Sequence, residues 1–444
     1  MGPSPTILFS YFKGNRYSIH ALAGALETHP KLRDLTLEYP LYPRDLVARA
    51  AELKRAGQPV LIAVSLNSIQ FVETRQWMWK LLEVLELDQT SAPDFAHSGV
   101  FLVAGGPHPT ADPLGTLNLG FQAVIAGEGE AAFVDLVLRL VENREWRDVP
   151  GMASLDEKGQ LRQNAGTPPI DLNAYPPFPT RDGNRCGHIE LTRGCPFACA
   201  FCQISKLHNT RPRHRSPESV WRNMEVMRKA GRTDYRFITP NAFGYGSPDG
   251  RQLNPEAVRT LLHGAREIAG TEGRIYFGSF PSEVRPEHVN DEMVAMVLEY
   301  ATNTNLVIGA QSGSDRVLRL CHRGHTVDEA RRAAACILRN GLKANVDFIF
   351  GLPGETEADQ EATLDFMDEL VALGARIHTH TFLPIPQTRF AHCPPGQITP
   401  RILEALHTRL VPSGAAYGNW REQEVLAAQI AQYRDTQTLG HSLP

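Results

Sequence analysis

The chain has 444 residues, 45 Lys and Arg against 49 Asp and Glu, a formal net charge of −4, and 42% hydrophobic residues. At roughly 150 residues per domain this is two or three globular domains, and the composition excludes a disordered chain, a collagen and a coiled coil. The near-neutral balance gives no electrostatic footprint for nucleic acid. No run of 18 apolar residues is present to span a membrane. The first residues lack the charged region, apolar stretch and cleavage site of a secretory signal. Seven cysteines, an odd number, fit a reducing compartment, so a cytoplasmic location is expected.

Residues 1–145 alternate strand and helix signals. Apolar runs fall at Thr6–Phe9, Leu35–Leu37, Val60–Val64, Val100–Ala104 and Ala123–Ile125, with helical patterns such as Pro43–Ala56 and Glu130–Val141 between them. This predicts an α/β domain with a five-stranded parallel sheet of flavodoxin or Rossmann type, order 2-1-3-4-5. Its ligand crevice is expected between the loops after the first and third strands, near Tyr11–Arg16 and Ser65–Gln70. Residues 146–185 are crowded with proline (Pro168, Pro169, Pro176, Pro177, Pro179) and read as a linker or strap, with a short hairpin near Ala153–Gln163.

From residue 186 the alternation resumes, with six strand-then-helix units to about residue 410. The strands are expected at His188–Leu191, Tyr235–Thr239, Arg274–Phe277, Asn305–Ile308, Ala344–Phe350 and Ile377–Leu383. Ser216-Pro217 and Asn254-Pro255 each supply a helix cap and first-turn proline, and Thr326 with Glu329 forms a capping box. Six such units predict a partial (βα)6 barrel with its chemistry at the C-terminal strand ends. Residues 411–444 read as a C-terminal helix, from about 415, and a polar tail.

The most informative segment follows the first strand of this second region: Leu191-Thr192-Arg193-Gly194-Cys195-Pro196-Phe197-Ala198-Cys199-Ala200-Phe201-Cys202. Three thiolates on one loop suit three irons of a 4Fe–4S cube and leave the fourth iron open to another ligand. A zinc site with His208 as fourth ligand is the alternative, although a three-residue gap suits zinc poorly. Cys186, Cys321, Cys336 and Cys393 read as packing residues, with a thiol role open for Cys321 and Cys393.

Cys195, Cys199 and Cys202, with Phe201 before the last of them, resemble the signature of the radical S-adenosylmethionine (SAM) superfamily. The resemblance covers roughly residues 186–410. It implies SAM chelated on the open iron, reductive cleavage to a 5′-deoxyadenosyl radical, and an external electron donor of flavodoxin or ferredoxin type. It also implies SAM contacts at successive strand ends: Asn241 after the second strand, where the usual Gly-Gly-Glu is absent; Ser282 and Arg285 after the third; Gln311 and Ser312 after the fourth; Asp347, Gly351 and Glu355 after the fifth. Arg285 and Arg323 also admit a plain reading as surface salt-bridge partners. Glu355 admits one as a helix-start residue.

The N-terminal region carries Ala104-Gly105-Gly106-Pro107-His108-Pro109-Thr110 and Gly127-Glu128-Gly129-Glu130, each after a strand, and no nucleotide-binding loop. Together with the cysteine loop these stretches resemble the cobalamin-binding domain that precedes the barrel in one radical SAM class. The resemblance implies cobalamin contacts at Ser65, Asn67, Gly105, Gly106, Pro107, Gly127, Glu128 and Gly129. No Asp-x-His-x-x-Gly offers a lower cobalt ligand, and His108 reads as a turn histidine. The related methylthiotransferases carry a second three-cysteine cluster in their N-terminal domain, whereas residues 1–185 here contain no cysteine. The resemblance thus implies a cobalamin-dependent methyltransferase acting on an unactivated carbon of an unknown substrate. The alternatives are a radical SAM cyclase, rearrangement or oxidation enzyme, and a non-catalytic cobalamin or iron–sulfur sensor.

Overall fold

In the computed structural model the apolar runs of the N-terminal region pair as parallel strands: Thr6–Phe9 (β1), Leu37–Glu38 (β2), Val60–Ser65 (β3), Val100–Gly105 (β4) and Ala123–Ile125 (β5). The described residues are 4–87, 95–166, 168–181 and 183–436, so the expected polar tail beyond Thr436 lies outside them. Contacts divide the chain into two units, Met1–Gly187 and His188–Pro444.

In the first unit the parallel order is β2-β1-β3-β4-β5. β3 is buried along its whole length and β4 up to its last residue, as strands covered on both faces must be. The hairpin foreseen near residues 153–163 is Met152–Leu155 (β6) and Leu161–Gln163 (β7), and it adds two antiparallel strands to the β5 edge. The sheet therefore has seven strands, five of them parallel. The hairpin covers an edge that would otherwise expose unpaired backbone. The proline-rich segment is strapped to this unit. The Glu128 carboxylate accepts the Ile170 N–H at 2.9 Å, and a Cβ on Gly24 would meet the Phe178 carbonyl at 2.8 Å.

The second unit contributes Ile189–Glu190 (β8), Thr192–Arg193 (β9), Arg213–His214 (β10), Asp234–Ile238 (β11), Arg274–Tyr276 (β12), Asn305–Gln311 (β13), Lys343–Phe350 (β14), Arg376–Thr381 (β15) and Ala416–Gly418 (β16). One parallel sheet runs β12-β11-β8 and another β13-β14-β15-β16. A bridge between Val284 and Ile308 links the segment after β12 to β13. The helices begin where the sequence punctuation places them: Ser216, Asn254 and Thr326 each accept a backbone N–H of the first turn. β14 alternates buried Ala344, Val346, Phe348 and Phe350 with half-buried Asn345, Asp347 and Ile349, so its polar face is presented on the opposite side from its packed one.

One element departs from expectation. The barrel has a seventh parallel strand, β16, and the last helix starts at Trp420 rather than near residue 415. Three residues, Ala416-Tyr417-Gly418, carry no apolar run that sequence periodicity detects. Gly418, at φ 151°, brings β16 against β15, since a Cβ there would meet the Thr379 carbonyl at 2.1 Å. Gly418→Ala is expected to destabilise the chain by about 1–3 kcal/mol, as overpacking does, read as a lower urea midpoint. Gly166→Ala, whose Cβ meets nothing within 4 Å, is expected to leave the midpoint in place.

Candidate active site

The cysteine loop is shaped by backbone before any metal is considered. β9 pairs antiparallel with β10 on the far side of the loop. Gly194, at φ 94°, sits where a Cβ would meet the Arg211 carbonyl at 2.5 Å, so glycine is required at this crossing. The Ala200 N–H donates to the Cys321 carbonyl at 2.9 Å, and Cys202 N–H to the Cys199 carbonyl at 3.0 Å. Cys195, Cys199 and Cys202 line one cavity of about 560 Å³ at the strand ends. Burial pushes the Cys202 thiol up to about 12 and raises that of Cys195, and neighbouring thiols add to both. Two thiols made hard to ionise beside a third form a site that wants a cationic centre.

Two arginines supply fixed positive charge there. Arg285 and Arg323 are 2% and 4% exposed, which overturns their plain reading as surface salt-bridge partners. Arg323 places Nη1 3.6 Å from Cys199 Sγ and donates from Nη2 to the Gly309 carbonyl at 2.8 Å. Arg285 places Nη1 3.9 Å from the same sulfur, donates from Nε to Glu287 at 2.6 Å and from Nη2 to the Arg323 carbonyl, and lies over the Phe197 ring. Gly309 makes room, since a Cβ there would meet Arg323 Nη2 at 2.6 Å. Glu283 completes the group. Burial raises its carboxyl, Arg323 and Arg285 oppose that, and Asp347 reinforces it.

Of the expected SAM residues, Phe201, Ser282, Arg285, Gln311 and Asp347 line the cavity with the cysteines. Asn241, Ser312, Gly351 and Glu355 are not among its lining residues and have work elsewhere. Asn241 holds His288 at 2.7 Å and accepts the Arg285 N–H, so it positions the arginine segment. Ser312 is fully buried against Thr363. Gly351, at φ 71°, lies where a Cβ would meet the Gln397 N at 2.3 Å. Glu355 accepts the Gly351 N–H at 2.8 Å and Gln360 Nε2 at 2.9 Å, so it fixes that turn. Cys321 is fully buried in an apolar cluster with Val317, Leu352 and Phe382, against which Cys393 packs. Sequence reading did not single out Glu283, His378 or Tyr417. The His-x-His alternation on β15, which turns both rings to one face, was the available signal for His378.

In the first unit the expected cobalamin residues sit at the ends of β3, β4 and β5. Ser65 Oγ meets Ser18 Oγ at 2.8 Å, and a Cβ on Gly106 would lie 3.0 Å from Ser65 Oγ. Asn67 caps the helix Ser68–Val84 with Gln70 in a reciprocal box. Gly105 ends β4 and Pro107 opens the short helix after it. Gly127, at φ 94°, faces open space and donates to Thr110 Oγ1 at 2.9 Å, while Gly129 begins the helix Gly129–Val141. Glu128 is committed to the strap. His108 is not a turn residue in the open. It lies buried in the helix Pro107–Ala111, stacked on Phe71 at 3.9 Å, with its pKa lowered to about 4 by burial.

Residues 189–367 match the radical SAM superfamily. The matched stretch lies within the second unit and carries the cysteine loop. An uncharacterized methyltransferase of Pyrococcus horikoshii is 29% identical over 66% of this chain and 62% of its own length. A tRNA-2-methylthio-N(6)-dimethylallyladenosine synthase of Acidithiobacillus ferrooxidans is 28% identical over 65% and 64%. The chain thus spans a little under two thirds of these relatives. Among solved structures, the radical SAM methyltransferase TsrM of Kitasatospora setae, with cobalamin and a [4Fe–4S] cluster, is similar at TM-score 0.65 and 16% identity, over 88% of this chain and 74% of that one. The cobalamin-dependent radical SAM enzyme OxsB, with aqua-cobalamin, is similar at TM-score 0.62 and 17% identity, over 82% and 52%. These likenesses establish the shared fold.

A radical SAM domain implies a 4Fe–4S cluster and SAM, and the donor set here fits them. Cys195, Cys199 and Cys202 line one cavity, so three sulfurs from one loop face a single ligand-sized space, as a cube with one open iron requires. Glu355 provides a test of the surrounding packing. Burial raises its carboxyl to about 7, so the folded state holds a proton that the unfolded chain releases near pH 4.5. Its contribution is full below about pH 4.5 and is lost as pH rises through about 7. In Glu355→Gln, urea unfolding from pH 4.5 to 8 is expected to show a smaller fall of stability with pH than in the parent chain.

Proposed function

We propose that this chain is a cobalamin-dependent radical SAM methyltransferase acting on an unactivated carbon. The observation that carries the reading is the convergence of three loop cysteines and two buried guanidiniums on one cavity at the barrel strand ends, in a chain whose other unit is a 2-1-3-4-5 parallel sheet. The methyltransferase name of the Pyrococcus relative and the cobalamin in TsrM and OxsB support it. Methylthiolation, the activity named for other relatives, is not favoured, because residues 1–185 offer no cysteine for a second cluster.

When bound, a 4Fe–4S cluster with SAM supplies a 5′-deoxyadenosyl radical, and cobalamin supplies the methyl group that a substrate radical takes up. Cys195, Cys199 and Cys202 hold the cluster. Arg285 and Arg323 donate N–H groups toward the Cys199 sulfur and offset its thiolate charge. Phe201, Ser282 and Gln311 line the SAM pocket, and Asn241 keeps the Arg285 segment in register. In the first unit, Ser65, Gly105, Gly106 and Gly127 form the strand-end rim that receives cobalamin, at the side of the sheet where such folds bind ligands. An electron donor of flavodoxin or ferredoxin type and a carbon substrate complete the proposal.

The test is iron, cobalt and 5′-deoxyadenosine measured on one anaerobic preparation from cobalamin-fed cells. About four irons and one cobalt per chain, with 5′-deoxyadenosine formation abolished by Cys199→Ala, are expected. Iron and 5′-deoxyadenosine without cobalt would remove the methyl-transfer half of the proposal.

A further inference from the structure

A second group of ligand-type side chains comes from β14 and β15 of the same barrel, and two of its members line the cavity that the cysteine loop lines. Asp347 on β14 pairs in register with His378 on β15, and His378 pairs with Tyr417 on β16. His380 follows two residues along β15 and so shares the face of His378. His378 Nδ1 lies 3.1 Å from Asp347 Oδ1 and 3.2 Å from His380 Nε2. All three ligand atoms fall within 4.8 Å of one another, which among the described residues is true of no other trio of His, Cys, Asp and Glu. Ligands held at right angles around a cation at roughly 2.1 Å stand about 3 Å apart.

Proton counting shows that hydrogen bonds alone do not account for this convergence. Gln423 Oε1 accepts the Thr381 N–H at 2.9 Å, so its amino group faces His380 Nδ1 at 3.2 Å. That nitrogen then accepts, and the ring proton sits on Nε2, pointing at His378 Nδ1. His378 Nδ1 must accept in turn and has no proton for Asp347. A positive charge among the three atoms removes the conflict. The Tyr417 ring stacks on His378 at 4.5 Å and 13°, so the ring cannot swing away.

We propose that Asp347 Oδ1, His378 Nδ1 and His380 Nε2 form a site for one first-row divalent cation, separate from the cysteine loop. Two histidines and one carboxylate are the donor set for Fe(II), Zn(II) or Co(II), and they leave coordination positions free. Asp347 and His378 line the cavity, so those positions are available to water or to an oxygen of a molecule held there. Asp347 is thereby a metal ligand rather than a SAM contact. Cation binding moves the His380 proton to Nδ1, where the Gln423 amino group opposes it. Gln423→Glu should relieve that opposition, with one carboxylate oxygen keeping the Thr381 N–H and the other receiving the His380 proton. The proposal does not depend on the methyltransferase reading.

The experiment is a Co(II) titration of the full-length chain carrying Cys195→Ala, Cys199→Ala and Cys202→Ala, followed by visible absorption. The expected result is one Co(II) per chain, with ligand-field bands and no thiolate charge-transfer band. His378→Ala or Asp347→Asn is expected to weaken binding at least about tenfold, and Gln423→Glu to tighten it about tenfold. Far-UV circular dichroism checks the fold of each variant. Gln423→Glu, on the half-buried side of the last helix, keeps the test decisive should the strand variants unfold. Equal Co(II) affinity with and without His378→Ala and His380→Ala, a thiolate band, or no gain in Gln423→Glu would overturn the proposal.

Discussion

The structure of the second unit depends on burying two guanidiniums against a thiol. Removing a charged group from water costs several kcal/mol, and that cost is met only by close, well-aimed partners. Arg285 has Glu287, the Arg323 carbonyl, the Phe197 face and Cys199 Sγ; Arg323 has the Gly309 carbonyl and the same sulfur. These partners come from the cysteine loop, the segment after β12, the end of β13 and the turn before the helix Val327–Arg339. Placing the two charges therefore fixes the strand ends that surround the cavity. Gly194 and Gly309 serve the same constraint, because each gives up a Cβ where backbone or guanidinium must pass.

Electrostatics then gives the loop its chemistry. Burial alone would hold Cys195 and Cys202 as thiols. The arginines favour the thiolate, and bound iron would complete the ionisation. The buried carboxyl of Glu283 and the Asp347 group face this positive end from within the cavity. The cavity thus has fixed positive charge beside the cysteines, from Arg285 and Arg323, and carboxyl and imidazole groups at its other strands.

Much of this was legible in the sequence. The five parallel strands of the first unit, the helix starts at Ser216, Asn254 and Thr326, and the cysteine loop after the first barrel strand follow from apolar runs, caps and spacing. What was not legible depends on long-range register. Arg323 looks like any surface arginine, and Arg285, expected at the cavity, gives no sign of its sulfur contact, until the segments carrying them are brought to Cys199. Asp347, His378 and Tyr417 are far apart in the chain and meet only because three parallel strands align. β16 is too short to announce itself. Asn241, Ser312 and Glu355 were correctly placed near strand ends, but their polar atoms hold neighbouring segments instead of facing the cavity.

The most direct measurement of the central claim is the electron paramagnetic resonance spectrum of the dithionite-reduced, reconstituted protein with and without SAM. Three cysteines leave one iron open, so adding SAM should change the g-values of the reduced cluster. A cluster spectrum that is identical with and without SAM would contradict the assignment of this cavity as a SAM-binding, radical-generating site.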